Sequence, residues 1–152
     1  MNALANLDMQ QVTNTVEALR AADRIFCVGN GGGYAHAMHF ASDLRKIAGK
    51  QAFSFDNVAE MTARINDDSW DNAWADWGAA HGKHPVYDRW FLFSVGGALD
   101  GLSYNLNFGW EHGIVGANGA YKNRIVIPST STPVIEGCQS VIAHHLVEQL
   151  CG

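Results

Sequence analysis

Residues 25–34 read Ile-Phe-Cys-Val-Gly-Asn-Gly-Gly-Gly-Tyr, and this stretch decides the fold. Ile25 to Val28 is a short apolar run of the kind found in strands buried on both faces of a parallel sheet. Four glycines follow within five residues, more than a tight turn alone requires, and a helical pattern begins at Tyr34. Glycines allow close backbone approach, and the free N–H groups of a helix N-terminus bind anions. The sequence therefore predicts an anion-binding loop at Gly29–Gly33.

Strands and helices alternate along the rest of the chain. Further strands are predicted at 52–55, 90–95, 114–117 and 124–127, with a loop at 78–85. Helices are predicted at 7–22, 34–47, 57–65, 70–77 and 133–150, and a weaker one at 104–111. This order predicts a doubly wound α/β fold, in which a five-stranded parallel sheet lies between two helix layers. A chain of 152 residues without repeat or linker suits a single domain, 1–152, and ligands of such folds bind at the carboxyl ends of the strands.

Composition excludes several classes of function. Hydrophobic residues make up 47% of the chain and its net charge is −5, which indicates a globular protein and a poor binder of nucleic acid. The three cysteines form no Cys-x-x-Cys pair, so we expect a reducing, cytoplasmic location. The N-terminus lacks the features of a signal peptide, and the longest uncharged apolar stretch, 90–99, is too short to span a membrane.

Two predicted helices carry candidate metal ligands. His39 and Asp43 are four residues apart and project from one helix face, a spacing that can chelate zinc. Glu136 and His144 are eight residues apart, so they lie roughly on one face of the last helix. If the two faces meet, these four residues form a ligand set. The alternative for each histidine is a solvated or hydrogen-bonded side chain. His81, His84 and His112 lie in predicted loops, and we expect all three to be solvated.

Other chemically interesting residues have two interpretations. Asp67 ends a predicted helix, so it is either an ordinary cap or turn residue or a site residue. Trp70, Trp74 and Trp77 recur at helical spacing, which favours a core or subunit-interface stripe over a substrate platform. The glycine loop does not match the dinucleotide fingerprint, because Tyr34 stands where that motif needs Gly or Ala. A dinucleotide-dependent oxidoreductase is therefore not expected.

Five segments in order carry a family resemblance. They are VGNGGG at 28–33, HFASDL at 39–44, DN…MTA…ND at 56–67, SVGG…S-x-NL at 94–106, and TP-x-x-E-x-x-Q with a later histidine at 132–144. Together they resemble the sugar isomerase (SIS) domain family, and within it the phosphoheptose isomerases, over residues 25–150.

The resemblance implies a fold and an activity. The family has a five-stranded parallel sheet between helices, and its isomerases interconvert sedoheptulose 7-phosphate and a glycero-manno-heptose 7-phosphate through an enediolate. They are usually homotetramers with active sites at subunit interfaces, and many bind zinc. The family's ligand positions fall on His39, Asp43, Glu136 and His144. The resemblance implies proton transfer by one or more of Asp43, Glu136 and His144, and substrate contacts from Asn30, Gly31, Gly32, Gly33, Asp67, Ser94 and Ser103.

The sequence also departs from the family pattern. Gly33 replaces the serine that ends the family's first loop, and only Ser94 and Ser103 remain of its serine-rich second loop. Asp43 is shorter than the more common glutamate. Backbone N–H groups at 31–33 and 95–97 could still hold a phosphate. A second hypothesis is therefore a SIS domain that binds a sugar phosphate, or a partner protein, without catalysis.

Overall fold

A computed structural model describes residues 2–81, 88–96, 111–119 and 123–152. Its five strands are β1 (Arg24–Gly29), β2 (Gln51–Ser54), β3 (Asp88–Ser94), β4 (Glu111–Gly116) and β5 (Asn123–Ile127). They form one sheet in the order β2-β1-β3-β4-β5, with every neighbouring pair parallel. The predicted fold class is confirmed, and each predicted strand is present within a few residues of its expected limits.

Six helices flank this sheet in the described part of the chain. They are α1 (Asn2–Ala5), α2 (Met9–Ala21), α3 (Gly32–Lys46), α4 (Val58–Asp67), α5 (Trp70–Ala80) and α6 (Thr132–Cys151). The Asp8 side chain accepts a hydrogen bond from the Gln10 N–H and caps α2, so that helix begins later than expected. Helix α5 runs through Ala80, so the predicted loop at 78–85 begins too early. Residues 104–110 of the weaker predicted helix lie outside the described residues, and Glu111 opens β4 instead.

Alternating side chains of the strands build a core on each face of the sheet. Ile25 and Cys27 of β1 pack with apolar residues of α2, α3 and α6, including Phe40 and Leu146. Phe26 of β1 belongs to the opposite core, together with aromatic residues of α5. Both faces of β1 are therefore buried, which explains why its sequence is a continuous apolar run.

The tryptophan stripe is divided between core and surface. Trp74 and Trp77 are buried, and Trp77 stacks on Phe55 with ring centroids 5.0 Å apart. Trp70 leaves 48% of its surface exposed. The core interpretation is therefore correct for Trp74 and Trp77, whereas Trp70 remains accessible beside the glycine loop.

The prediction that His112 is a solvated loop residue is wrong. His112 lies in β4, between β3 and β5, and only 8% of its surface is exposed. The neighbouring Gly113 and Gly116 weakened the strand signal in the sequence. His81 is the half-buried residue that caps the C-terminus of α5, and its Nδ1 atom lies 2.9 Å from the Trp77 carbonyl oxygen. His84 lies outside the described residues.

Within the ranges described above, none of the helices is long and apolar enough to cross a membrane.

Candidate functional site

Helices α3 and α6 bring three potential metal ligands together. The His39 Nε2 atom lies 3.0 Å from the Asp43 Oδ2 atom, within one helix. The His144 Nε2 atom approaches from the other helix, 3.3 Å from His39 Nε2 and 3.6 Å from Asp43 Oδ2. Because α3 packs against α6, residues 105 positions apart meet at one point.

The geometry of these three atoms fits a zinc ion. Zinc with bonds of about 2.0–2.1 Å in tetrahedral geometry places its ligand atoms about 3.3 Å apart. The three observed distances, 3.0, 3.3 and 3.6 Å, bracket that value. The Asp43 side chain is only 16% exposed, whereas those of His39 and His144 are 62% and 53% exposed. The open side of the triangle therefore faces solvent, where further ligands or a substrate could bind.

Glu136 is not part of this group. It lies two turns before His144 on α6, a rise of about 12 Å along the helix. Its carboxylate is at the start of α3, where a Cβ added to Gly32 would lie 2.6 Å from the Glu136 Cδ atom. The structure thus brings together three of the four predicted ligands and places the fourth at the glycine loop.

The glycine loop is shaped by close backbone contacts. Gly31 has a positive φ of 55° and caps α3 without a side-chain hydrogen bond, so the first N–H groups of the helix are available to a ligand. Gly33 packs directly on the backbone of β3, and a Cβ there would lie 3.1 Å from the Phe93 carbonyl carbon and closer still to its oxygen. The serine that the resemblance places at position 33 therefore has no room in this structure.

The remaining predicted substrate residues are more dispersed. Asn30 is exposed at the carboxyl end of β1. Asp67 is exposed at the end of α4, where its Oδ1 atom accepts a hydrogen bond from Asn66. Ser94 ends β3, and its carbonyl oxygen accepts a hydrogen bond from the buried Gln139 of α6. Ser103 lies outside the described residues.

His36 is a neighbour of the site that sequence reasoning did not use. Partial burial lowers the pKa of His36, and the nearby carboxylate and backbone of Glu136 oppose that shift. Its position three residues before His39 was the only sequence signal. His36 therefore lies on α3 between the glycine loop and His39, and it faces Glu136 of α6.

The fold is that of known sugar isomerase domains. A phosphoheptose isomerase from Francisella tularensis superposes with a TM-score of 0.75 at 21% identity, over 93% of this chain and 84% of that chain. A phosphoheptose isomerase from Neisseria gonorrhoeae superposes with a TM-score of 0.72 at 18% identity, over 93% of this chain and 85% of that chain. The sugar isomerase domain of an RpiR transcription factor from Sphaerobacter thermophilus superposes with a TM-score of 0.64 at 15% identity, over 98% of this chain and 81% of that chain.

No protein-family model matches the sequence, and no curated protein is significantly similar to it. The structural neighbours are phosphoheptose isomerases and other proteins with sugar isomerase domains, so the predicted resemblance holds at the level of the fold.

Proposed function

We propose that this protein is a phosphosugar isomerase of the phosphoheptose type. Its substrate pair would be sedoheptulose 7-phosphate and a glycero-manno-heptose 7-phosphate. The observation that supports this most is the triangle of His39, Asp43 and His144, whose ligand atoms lie 3.0–3.6 Å apart on two packed helices. A fold shared with two phosphoheptose isomerases supports the same reaction class.

Zinc is the proposed metal. Two imidazole nitrogens and one carboxylate oxygen are the donor set of many catalytic zinc sites, which keep an open position for substrate. His39, Asp43 and His144 would hold the ion. Glu136 was predicted as a fourth ligand, but its place at the glycine loop makes it a better candidate for proton transfer.

The reaction moves one proton between adjacent carbons. A base removes a proton from C1 of the ketose, and the resulting enediolate receives a proton at C2 while the hydroxyl proton passes from O1 to O2. Asp43, Glu136 and His144 are the candidates for the proton-transfer groups. A bound zinc ion would supply positive charge that stabilises the enediolate oxygen.

The phosphate would be held by backbone N–H groups. The N-terminus of α3 at Gly31–Gly33 carries partial positive charge and unpaired N–H groups. Asn30, Asp67, Ser94 and Ser103 are the proposed contacts to the rest of the substrate. The close packing of Gly33 means that the backbone must replace the hydroxyl found at this position in the family.

The proposal includes a homotetramer with sites at subunit interfaces. His39 and His144 are more than half exposed, so a neighbouring chain could complete the site. A cytoplasmic location is proposed from the cysteines: Cys27 and Cys138 are buried as free thiols, and Cys151 is exposed and free. Burial raises the pKa of the Cys27 thiol, so it would be unreactive.

The experiment that tests the function combines metal analysis with turnover. Protein purified without chelator or affinity tag is measured for zinc by mass spectrometry and assayed with sedoheptulose 7-phosphate. We expect close to one zinc per chain and measurable isomerisation. The His144→Ala variant should lose zinc and at least 100-fold in kcat/KM, because His144 is proposed to hold the ion directly, and the loss of a residue that only supports a ligand already costs about 10–100-fold.

His145 provides a matched control on the same helix. His145→Ala should retain zinc and activity within about twofold, since His145 is not in the metal-ligand group. If both variants kept full activity, the site assignment would be wrong. If the parent protein bound no zinc and turned over no substrate, the isomerase proposal would fail.

A second candidate function is sugar-phosphate binding without catalysis. The specific observation that favours it is the packing of Gly33, which leaves no space for the phosphate-binding serine. A sugar isomerase domain also occurs in the transcription factor among the structural neighbours. Saturable binding of the sugar phosphate by metal-free protein, without turnover after zinc addition, would favour this function.

A further inference from the structure

An apolar cavity of about 290 Å³ lies between the glycine loop and the helix pair α4 and α5. Met61 and Ile65 of α4 and Trp70 and Trp74 of α5 form its apolar wall. The turn at 29–31 forms the edge that leads to the N-terminus of α3. The proposed isomerase reaction gives no role to the four apolar side chains, so the cavity is a further candidate for ligand binding.

The back of the cavity is held in place by the aromatic core on this face of the sheet. Trp74 is buried, and its ring packs edge-on against Phe55 and Tyr34, with centroids 5.4 and 6.1 Å apart. The Tyr34 hydroxyl donates a hydrogen bond to the Phe55 carbonyl oxygen. Met61 and Ile65 pack against the same core. The wall therefore has a defined shape before any ligand binds.

Trp70 is the accessible part of this wall. It is the first residue of α5, and 48% of its surface is exposed. The preceding residue, Ser69, has a φ of 124° and a ψ of 160°, a backbone conformation that is rare for any residue with a side chain. Strained residues of this kind cluster at ligand sites. Here the strain immediately precedes the indole ring that lines the cavity.

The edge of the cavity coincides with the phosphate site proposed above. The cavity and the loop share Gly29, Asn30 and Gly31, and α3 begins at the next residue. A phosphate held by the first N–H groups of α3 would therefore carry its organic part beside the apolar wall. Such a wall favours burial of a ring over burial of hydroxyl groups, because hydroxyl groups buried without partners cost free energy.

We propose that the glycine loop and this cavity together bind a phosphate ester of an aromatic ring, with the ring stacked on Trp70. An aromatic ring buries its apolar surface and stacks favourably on an indole. The volume of about 290 Å³ is close to the lower limit of small-molecule pockets, about 300 Å³, so it suits a single ring system. The inference rests on the phosphate site of the proposed function but not on isomerisation, and it adds a second class of ligand that competes for the loop.

The test compares two phosphate monoesters, phenyl phosphate and glycerol 3-phosphate, by calorimetric titration of the full-length protein. The two probes carry the same anionic group and differ in the organic part. We expect the Kd of phenyl phosphate to be at least about tenfold lower, because ring burial and stacking both favour it. In ¹⁵N NMR spectra, phenyl phosphate should shift the Trp70 indole N–H signal, and both probes should shift the Gly32 and Gly33 amides.

Variants of Trp70 test the stacking partner. Trp70→Ala should remove the preference for phenyl phosphate and leave the Kd of glycerol 3-phosphate within about twofold, whereas Trp70→Phe should retain most of the preference. Alanine is the best helix former, so the half-exposed first residue of α5 should tolerate it. Val58→Ala is the matched control, because Val58 of α4 is an exposed apolar residue that does not line the cavity.

Equal Kd values for the two probes, or no saturable binding of either, would overturn the proposal. An equal loss in Trp70→Ala and Val58→Ala would overturn it as well, since that result would show a general effect on the helix pair. An affinity that rises when the protein is diluted would show that a second copy of the chain fills the cavity, which also contradicts the proposal. If Trp70→Ala does not fold, Trp70→Phe and the indole signal of the parent protein still decide the question.

Zinc content and turnover separate this inference from the proposed function. A protein that holds zinc and isomerises sedoheptulose 7-phosphate, but shows no preference for phenyl phosphate, would keep the proposed function and lose this inference. A protein that prefers phenyl phosphate without zinc or turnover would keep this inference and lose the isomerase assignment.

Discussion

Gly33 shows how one residue combines packing and chemistry. Its Cα lies against the β3 backbone so closely that any Cβ meets the Phe93 carbonyl group. The sequence resemblance to sugar isomerase domains implies a phosphate-binding serine at this position. In this protein the helix–strand contact takes the space of that side chain, and any phosphate at the loop must rely on backbone N–H groups.

The Gly33→Ser variant should therefore lose stability and gain no phosphate affinity. Overpacking against a backbone carbonyl, which cannot rotate away, is expected to cost about 1–3 kcal/mol in the free energy of unfolding. Urea denaturation measures this cost. Gly137→Ser is the matched control, because no atom lies within 4 Å of a Cβ at Gly137, and it should change stability by less than about 0.5 kcal/mol. Parent-like stability of Gly33→Ser would contradict the close packing.

His112 makes stability depend on pH. Its pKa of about 4 in the folded protein is below the usual value of about 6.5, because burial and Arg89 oppose its protonation. Between these values the unfolded chain binds more protons, so stability rises with pH and is lost as pH falls from about 6.5 to 4. The loss attributable to His112 should be about 3 kcal/mol at most.

Urea denaturation of the parent and of His112→Leu at several pH values between 4 and 7 measures this dependence. The variant should show a flatter profile over that range. His145→Leu, at a half-buried position of α6, is the matched control for the loss of a histidine. Parallel profiles for the parent and His112→Leu would show that His112 is protonated equally easily in both states.

At the scale of elements, one buried polar side chain of α6 forms hydrogen bonds to two strands of the sheet, in addition to the apolar packing of that helix. Gln139 is fully buried, and its Nε2 group donates hydrogen bonds to the carbonyl oxygens of Ser94 and Ile114, at 3.1 and 2.9 Å. These carbonyls belong to β3 and β4, so one amide holds the helix to two strands. The same helix carries Glu136 and His144.

Gln139→Leu should destabilise the protein by about 1–3 kcal/mol, because it removes two buried hydrogen bonds between the helix and the sheet. Thermal or urea denaturation checks the value. Gln149→Leu, at an exposed position of the same helix, should change stability by less than about 0.5 kcal/mol. A neutral Gln139→Leu would mean that apolar packing alone places α6.

At the scale of the molecule, the candidate metal centre lies on an outer surface. The His39 and His144 side chains are 62% and 53% exposed, whereas catalytic zinc sites are usually sheltered from water. Assembly with a second copy would shelter the site. This arrangement supports the proposed tetramer with active sites at subunit interfaces.

Sedimentation velocity should therefore give a species of about 66 kDa, four copies of the 16.5 kDa chain. We expect the metal content and the assembly to fall together on dilution if a neighbouring chain completes the site. A monomer that retains one tightly bound zinc per chain would contradict the interface proposal while leaving the metal site intact.

Some of the site could be predicted from local spacing. His39 and Asp43 are four residues apart, slightly more than one helical turn. The α-helical repeat alone therefore places their side chains next to each other on one face of the helix. The eight-residue spacing of Glu136 and His144 is less informative. It suggests a shared face, but about 12 Å of helical rise separates the two residues. Only the packing of α3 against α6 shows that His144, and not Glu136, lies beside Asp43.

Sequence alone determined the alternation of five apolar strands with helices, the glycine loop and the His39–Asp43 pair. These features depend on residue periodicity and backbone freedom within short segments, which physical chemistry links directly to local structure. Only the tertiary structure decided that His144 joins that pair, that Glu136 lies at Gly32, that Gly33 has no room for a side chain, and that His112 is buried. Each of these depends on contacts between segments far apart in the chain, where packing sets the distances and local pattern carries no information about them.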